Sequence, residues 1–178
     1  MMLTTMRIDL GLLNMIDNMK ASSLCYDLIK HHEGFRSKPY NDSGGVPTIG
    51  WGHMILPGES YAEITKEQGQ KILEADVANA EYLVKSLVKV DLTQNQFDAL
   101  TSFIFNTGIK QFGNSYTLSE LNKGRYGVVS KRLILYSKDV YIDENGNKVV
   151  SHPKGLIRRR TNETALWDGR VTDKTQFI

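Results

Sequence analysis

The chain has 178 residues, 40% of them hydrophobic, enough to bury a core and within the range of one compact unit. Its 22 Lys and Arg against 20 Asp and Glu leave a net charge of +2, too small to announce nucleic acid or an anionic membrane as partner. A single cysteine, Cys25, excludes an internal disulfide, and no stretch approaches the roughly 20 apolar residues of a membrane span.

Leu3, Met6, Leu10 and Leu13 recur at helical spacing, which predicts an amphipathic extension over residues 1–20 packed against the body. Arg7, Asp9, Asn14 and Asp17 interrupt the apolar run that a signal peptide needs, so export by the chain's own signal is not expected. A second helix, capped by Ser22 or Ser23, carries Leu24, Leu28 and Ile29 inward and stops before Gly34, placing Glu33 on its last turn. Pro39, Asn41, Asp42, Gly44, Gly45 and Pro47 then punctuate short segments, the texture of a small β region over about residues 34–60.

Thr65 with Gln68 forms a capping-box pattern, and Ile72, Ala75, Leu83 and Leu87 suggest an apolar stripe ending near Val88. A helix of about 22 residues would run roughly 33 Å, enough to bridge two lobes. Thr93 with Gln96 repeats the cap before Phe97, Leu100, Phe103 and Ile104, and Gly108 supplies the stop of a buried helix. Helical segments follow at 115–122 and 126–136, then a hairpin signalled by Asn145-Gly146 between Val140 and Val150, then a helix from Gly155 to Trp167. The expected fold is α+β and mainly helical: a two-lobed single domain over 21–178, its helical lobe spanning about 88–178.

Three residues invite chemistry, and each alone has an ordinary reading. Glu33 faces the negative end of its helix dipole, which disfavours a carboxylate there by about 0.3–1 kcal/mol and suits a proton donor, but an exposed helical Glu needs no function. Asp42 sits in what looks like a simple turn, and Thr48 in what looks like a simple strand.

Together they carry more. Glu33-Gly34-Phe35, Tyr40, Asp42 and Thr48-Ile49-Gly50-Trp51-Gly52-His53 closely resemble the phage-type lysozymes of glycoside hydrolase family 24. That family's pattern is a Glu, eight residues, an Asp, five residues and a Thr; residues 34–41 make the eight and 43–47 the five. The run Thr93-Gln94-Asn95-Gln96-Phe97-Asp98-Ala99-Leu100, with Phe105-Asn106-Thr107-Gly108, resembles its buried helix. Gly155-Leu156 with Arg158, Arg159 and Glu163 resembles its C-terminal helix, so the likeness spans roughly residues 23–168.

The resemblance implies an endolysin that hydrolyses the β-1,4 bond between N-acetylmuramic acid and N-acetylglucosamine in peptidoglycan. Glu33 would be general acid, with Asp42 and Thr48 positioning or activating water. It also implies substrate contacts at Met54, Phe105 and Ser115, an ion pair between His53 and Asp76, and one arginine of Arg158–Arg160 reaching the carboxylates. A hydroxyl beside Asp42 suits an inverting reaction, in which two acceptors hold a water. No cofactor is expected.

Metal chemistry finds little support: His32-Glu33 opens like a zinc-protease motif, but Arg36 stands where its second histidine belongs. Asp143, Asn145 and Asn147 hint at a calcium loop, yet Gly146 comes too early and Lys154 holds the twelfth position. The three arginines diverge around a helix turn, so nucleic acid is not an expected partner. The expected enzyme is a monomer without stable membrane insertion, made in the host cytoplasm and dependent on a separate holin to reach the periplasm. The rivals are a lytic transglycosylase, against which Asp42 and Thr48 argue, and a non-catalytic peptidoglycan-binding or phage structural module, against which the intact set of Glu33, Asp42 and Thr48 argues.

Overall fold

The computed structural model describes residues 15–42 and 44–178. The expected helix over 1–20 therefore lies mostly outside the described residues; Met15–Asn18 form a short 3-10 helix whose Ile16 is buried in the core.

Helix α1 (Ser23–Glu33) begins at Ser22, whose side-chain oxygen accepts the Leu24 N–H, and ends at Gly34, where φ is 65°. Strands β1 (Arg36–Asn41), β2 (Pro47–Gly50) and β3 (His53–Met54) follow as an antiparallel sheet in that order. Tyr40 pairs with Thr48, and Thr48 with Met54. This sheet is the small lobe.

Helix α2 (Lys66–Leu87) runs 22 residues from a complete Thr65/Gln68 capping box, and α3 (Gln94–Thr107) starts from the matching Thr93/Gln96 box. Short helices α4 (Ile109–Gly113), α5 (Tyr116–Leu121) and α6 (Gly127–Leu133) lead to the hairpin β4 (Asp139–Ile142) and β5 (Lys148–Ser151), and α7 (Lys154–Trp167) completes the helical lobe. The sequence pattern had not separated α4, a five-residue helix that starts straight after the Gly108 stop.

The core has two parts that explain how the lobes are joined. Cys25 and Ile29 of α1 meet Leu73 and Val77 of α2 in a small cluster with Trp51 of the β2–β3 connection packed on it. Leu28, Ala80 and Val84 belong instead to the main cluster around Phe97, Leu100, Phe103 and Ile104 of α3. Each such side chain fully withdrawn from water contributes about 1.5–3 kcal/mol. Helices α1 and α2 thus bury one stretch in each cluster.

The expected stripe on α2 is rotated. Ala75 is exposed and Ile72, Leu83 and Leu87 are only half-buried, while Leu73, Val77, Ala80 and Val84 face inward. The pattern was blurred by Glu81, a charged residue on the inward face, whose carboxylate receives Lys20 and the Ala21 N–H at 2.9 and 2.7 Å. A buried charge with dedicated partners does not read as core in a hydrophobic count.

The second hairpin forms where Asn145-Gly146 signalled it, with a turn longer than two residues. A two-residue type I′ turn would put Asn145 at positive φ, but among the described residues only glycines have positive φ, Gly146 at 79°. Asp143 N–H donates to the Asn147 carbonyl at 2.9 Å and Gly146 N–H to the Asp143 carbonyl at 3.0 Å, a longer loop closed by one glycine.

Candidate active site

Glu33 ends α1 pointing its carboxyl at the β2–β3 connection. Gly52 there has φ +81°, and a Cβ on it would stand 2.7 Å from Glu33 Oε2. On the other side Arg159 of α7 donates from Nη1 to Glu33 Oε1. Arg159 is itself anchored: Nε donates to Glu163 Oε1 at 3.3 Å, and Nη2 approaches the Ser102 carbonyl at 3.4 Å. Of the three consecutive arginines, Arg158 is exposed, Arg159 reaches the acid, and Arg160 is fully buried against Glu163 and Asn106.

Asp42 heads the β1–β2 turn. Its Oδ1 accepts the N–H groups of Gly44 and Val46, both at 2.8 Å, and Gly45 takes the positive φ of 79°. Asp143 is an internal control: its Oδ1 accepts from Asn145 and Asn147 at 2.9 and 2.8 Å in the same arrangement. The backbone bonds of Asp42 are therefore ordinary turn chemistry, and any catalytic role must use its remaining capacity.

Thr48 is 4% exposed and donates its hydroxyl proton to the Val46 carbonyl at 2.9 Å. That bond fixes the hydroxyl so that its lone pairs are left to accept. Tyr40, paired beside Thr48, links the two acids: burial first, then the negative charges of Glu33 and Asp42, raise its phenol above the ordinary value, against the Arg36 guanidinium near its ring.

His53 pairs with Asp76 as expected, Nδ1 lying 2.9 Å from Oδ2, but it also meets Glu59, with Nε2 2.9 Å from Oε2. A neutral imidazole has one N–H, so donating to two ionised carboxylates at once takes the imidazolium. Burial lowers the His53 pKa, but hydrogen bonds to Glu59 and Asp76 outweigh it and the net direction is upward. The partners divide: burial dominates at Asp76 and raises it, whereas the Leu56 N–H and then His53 lower Glu59. Glu59 was missed from sequence because nothing in Pro57-Gly58-Glu59 indicates that the loop folds back to β3.

Met54 and Phe105 line a groove of about 280 Å³ with Gly52, His53, Leu56 and Asp76. Ser115 is not among its lining residues; it caps α5, accepting the Leu118 N–H at 3.1 Å. Gly69 was also missed. A Cβ there would lie 2.7 Å from the Phe35 ring and 3.2 Å from Trp51, so its absence lets α2 press against the aromatic pair that seats the sheet.

A small antiparallel sheet set against a mainly helical lobe, with a helix-terminal carboxyl met by a buried arginine, is a lysozyme-like arrangement. The phage lysozyme family matches residues 30–163, and the chain belongs to that family. It is 38% identical over 153 residues to the endolysin of Salmonella phage P22, covering 84% of this chain and 98% of that one. The endolysin from Escherichia coli O157:H7 phage FAHEc1 superposes with a TM-score of 0.76 at 33% identity, over 88% of this chain and 98% of that one. The muramidase domain of SpmX from Asticaccaulis excentricus gives 0.71 at 36% identity, over 83% and 97%. The protein is a muramidase of the endolysin type that lyses peptidoglycan.

Proposed function

We propose that Glu33 protonates the glycosidic oxygen between N-acetylmuramic acid and N-acetylglucosamine while Asp42 and Thr48 hold the attacking water, inverting the anomeric centre. The observation that carries this is the seating of the Glu33 carboxyl between Gly52, which leaves it space, and Arg159, which fixes its direction. Thr48 keeps its hydroxyl turned to the Val46 carbonyl, so its oxygen accepts a water proton, and Asp42 Oδ2 is the base we assign to the same water. Met54 and Phe105 would contact sugar along the groove they line. Ser115 would act from beyond that groove.

Biologically, the reading is lysis of the host wall at phage release by a monomer that a separate holin admits to the periplasm. No helix of the described residues is long and apolar enough to cross a membrane. The test is Glu33→Gln, which keeps the shape but donates no proton, assayed by turbidity of permeabilised Gram-negative cells. A loss of about 10²–10⁴-fold in a folded variant is expected for a general acid, and near-parental lysis would refute the assignment. Product masses separate hydrolysis from the transglycosylase reaction, whose anhydro ends lack one water.

A further inference from the structure

We infer that Glu163 is a positioning residue for the reaction: it takes up the charge of Arg159, so that Arg159 orients Glu33 without holding it as a carboxylate. The inference rests on Glu33 being the general acid. That role sets Arg159 a conflicting task, since a guanidinium beside a carboxyl favours the anion, the form that has no proton to give.

The structure shows where the excess charge goes. Glu163 is fully buried on α7 and receives three donors: Arg159 Nε at 3.3 Å, the Ser102 hydroxyl at 2.9 Å, and Arg160 Nη1. Arg160 is held in turn by Asn106 and the Tyr136 carbonyl. Glu33, Arg159, Glu163 and Arg160 form one connected chain in which Arg159 is shared between two carboxyl groups, and while Glu33 keeps its proton Glu163 offsets one of the two guanidinium charges. The other groups facing it are the Phe105 ring, 5.9 Å from the Arg159 guanidinium, and His32 and the buried Cys25 of α1; Tyr40 of β1 faces Glu33. His32, held neutral, the Cys25 thiol, pushed well up by burial, and the Tyr40 phenol supply no compensating negative charge near neutral pH. A buried carboxylate is costly unless paired, and here the pairing tunes a neighbour.

The experiment compares pH profiles of kcat and KM on solubilised glycan strands for the parent, Glu163→Gln, and the double variant Glu163→Gln with Arg160→Met. The Gln amide oxygen still accepts from Arg159 and Ser102, so the geometry is kept and the charge removed. The double variant leaves no unpaired charge at Arg160, so the test does not depend on the single variant folding. In Glu163→Gln the alkaline limb of the kcat profile should move down by about one pH unit, as expected when one neighbouring charge is changed; in the double variant, which also removes the Arg160 charge, it should move the same way by less, with KM little altered in both. Glu163→Asp, which keeps the charge, should restore the parental limb.

A uniform fall in kcat with an unmoved limb would overturn the inference and leave Glu163 a structural residue only. Glu33→Gln run alongside separates the readings: if it is inactive while the limb stays put, only the role of Glu163 fails. If Glu33→Gln is active, the assignment of the acid fails first.

Discussion

Gly52 and Glu33 are nineteen positions apart in sequence, yet a Cβ on Gly52 would stand 2.7 Å from the Glu33 carboxyl oxygen. Gly52→Ala therefore combines two penalties. Placing a Cβ at φ +81° costs about 1–2 kcal/mol, visible as a lower melting temperature. The added methyl also pushes the Glu33 carboxyl from the direction Arg159 sets, so kcat should fall by at least about tenfold, because the chemistry is sensitive to misplacement of about 1 Å. Parental kcat in a folded Gly52→Ala enzyme would show that the contact does not govern the acid.

Asp42 and Asp143 head identical turns, which permits a matched comparison. Asn retains the oxygen that accepts the two backbone N–H groups, so Asp42→Asn and Asp143→Asn should change stability little and similarly, within about 1 kcal/mol. Activity should separate them: Asp42→Asn loses orders of magnitude in rate, and Asp143→Asn stays near the parent. Thr48→Val, nearly isosteric but without the hydroxyl, should follow Asp42→Asn in direction. Equal activities for the two Asn variants would reduce Asp42 to its turn.

Two histidines should imprint opposite pH dependences on stability. The folded pKa of His53 is raised, so its contribution is fully present below the unfolded value near 6.5 and is lost as pH rises through the folded value. His32, half-buried against Asn162 and close to Arg159, is lowered to about 3 by burial first and the arginines next. Its neutral form is the native one, so its contribution is present above about 6.5 and declines as pH falls toward 3. In urea titrations, Asp76→Asn and Glu59→Gln should differ from the parent most just below pH 6.5 and above the carboxylate range, where imidazolium and carboxylates coexist, and converge with it at high pH. His32→Gln should lessen the acid loss. An unchanged His53 titration by NMR in Asp76→Asn would exclude the coupling.

The stereochemistry is directly measurable. Proton NMR of the first products should show the α-configured reducing end before mutarotation mixes the anomers, because a water held by Asp42 and Thr48 attacks from the face opposite the leaving oxygen. A β anomer first would mean retention, with Asp42 acting as nucleophile and Thr48 without its assigned water.

Local hydrogen bonding made much of the molecule legible in its residues. Thr65/Gln68 and Thr93/Gln96 mark helix starts because a capping box closes within four residues, and Gly34 and Gly108 mark stops because the backbone there turns to positive φ. The spacing of Glu33, Asp42 and Thr48 belongs to the same class of information, since one helix end and one hairpin carry all three. Contacts between distant segments were not legible in that way. Which arginine meets Glu33 depends on the rotation of α7 against α3, and the inward face of α2 depends on Lys20 and Ala21 arriving to satisfy Glu81. Glu59 reaches His53 only because its loop folds back over β3. Such pairings are decided by packing, where a buried charge is tolerated only if a partner from elsewhere in the chain meets it, and no local period in the sequence records that meeting.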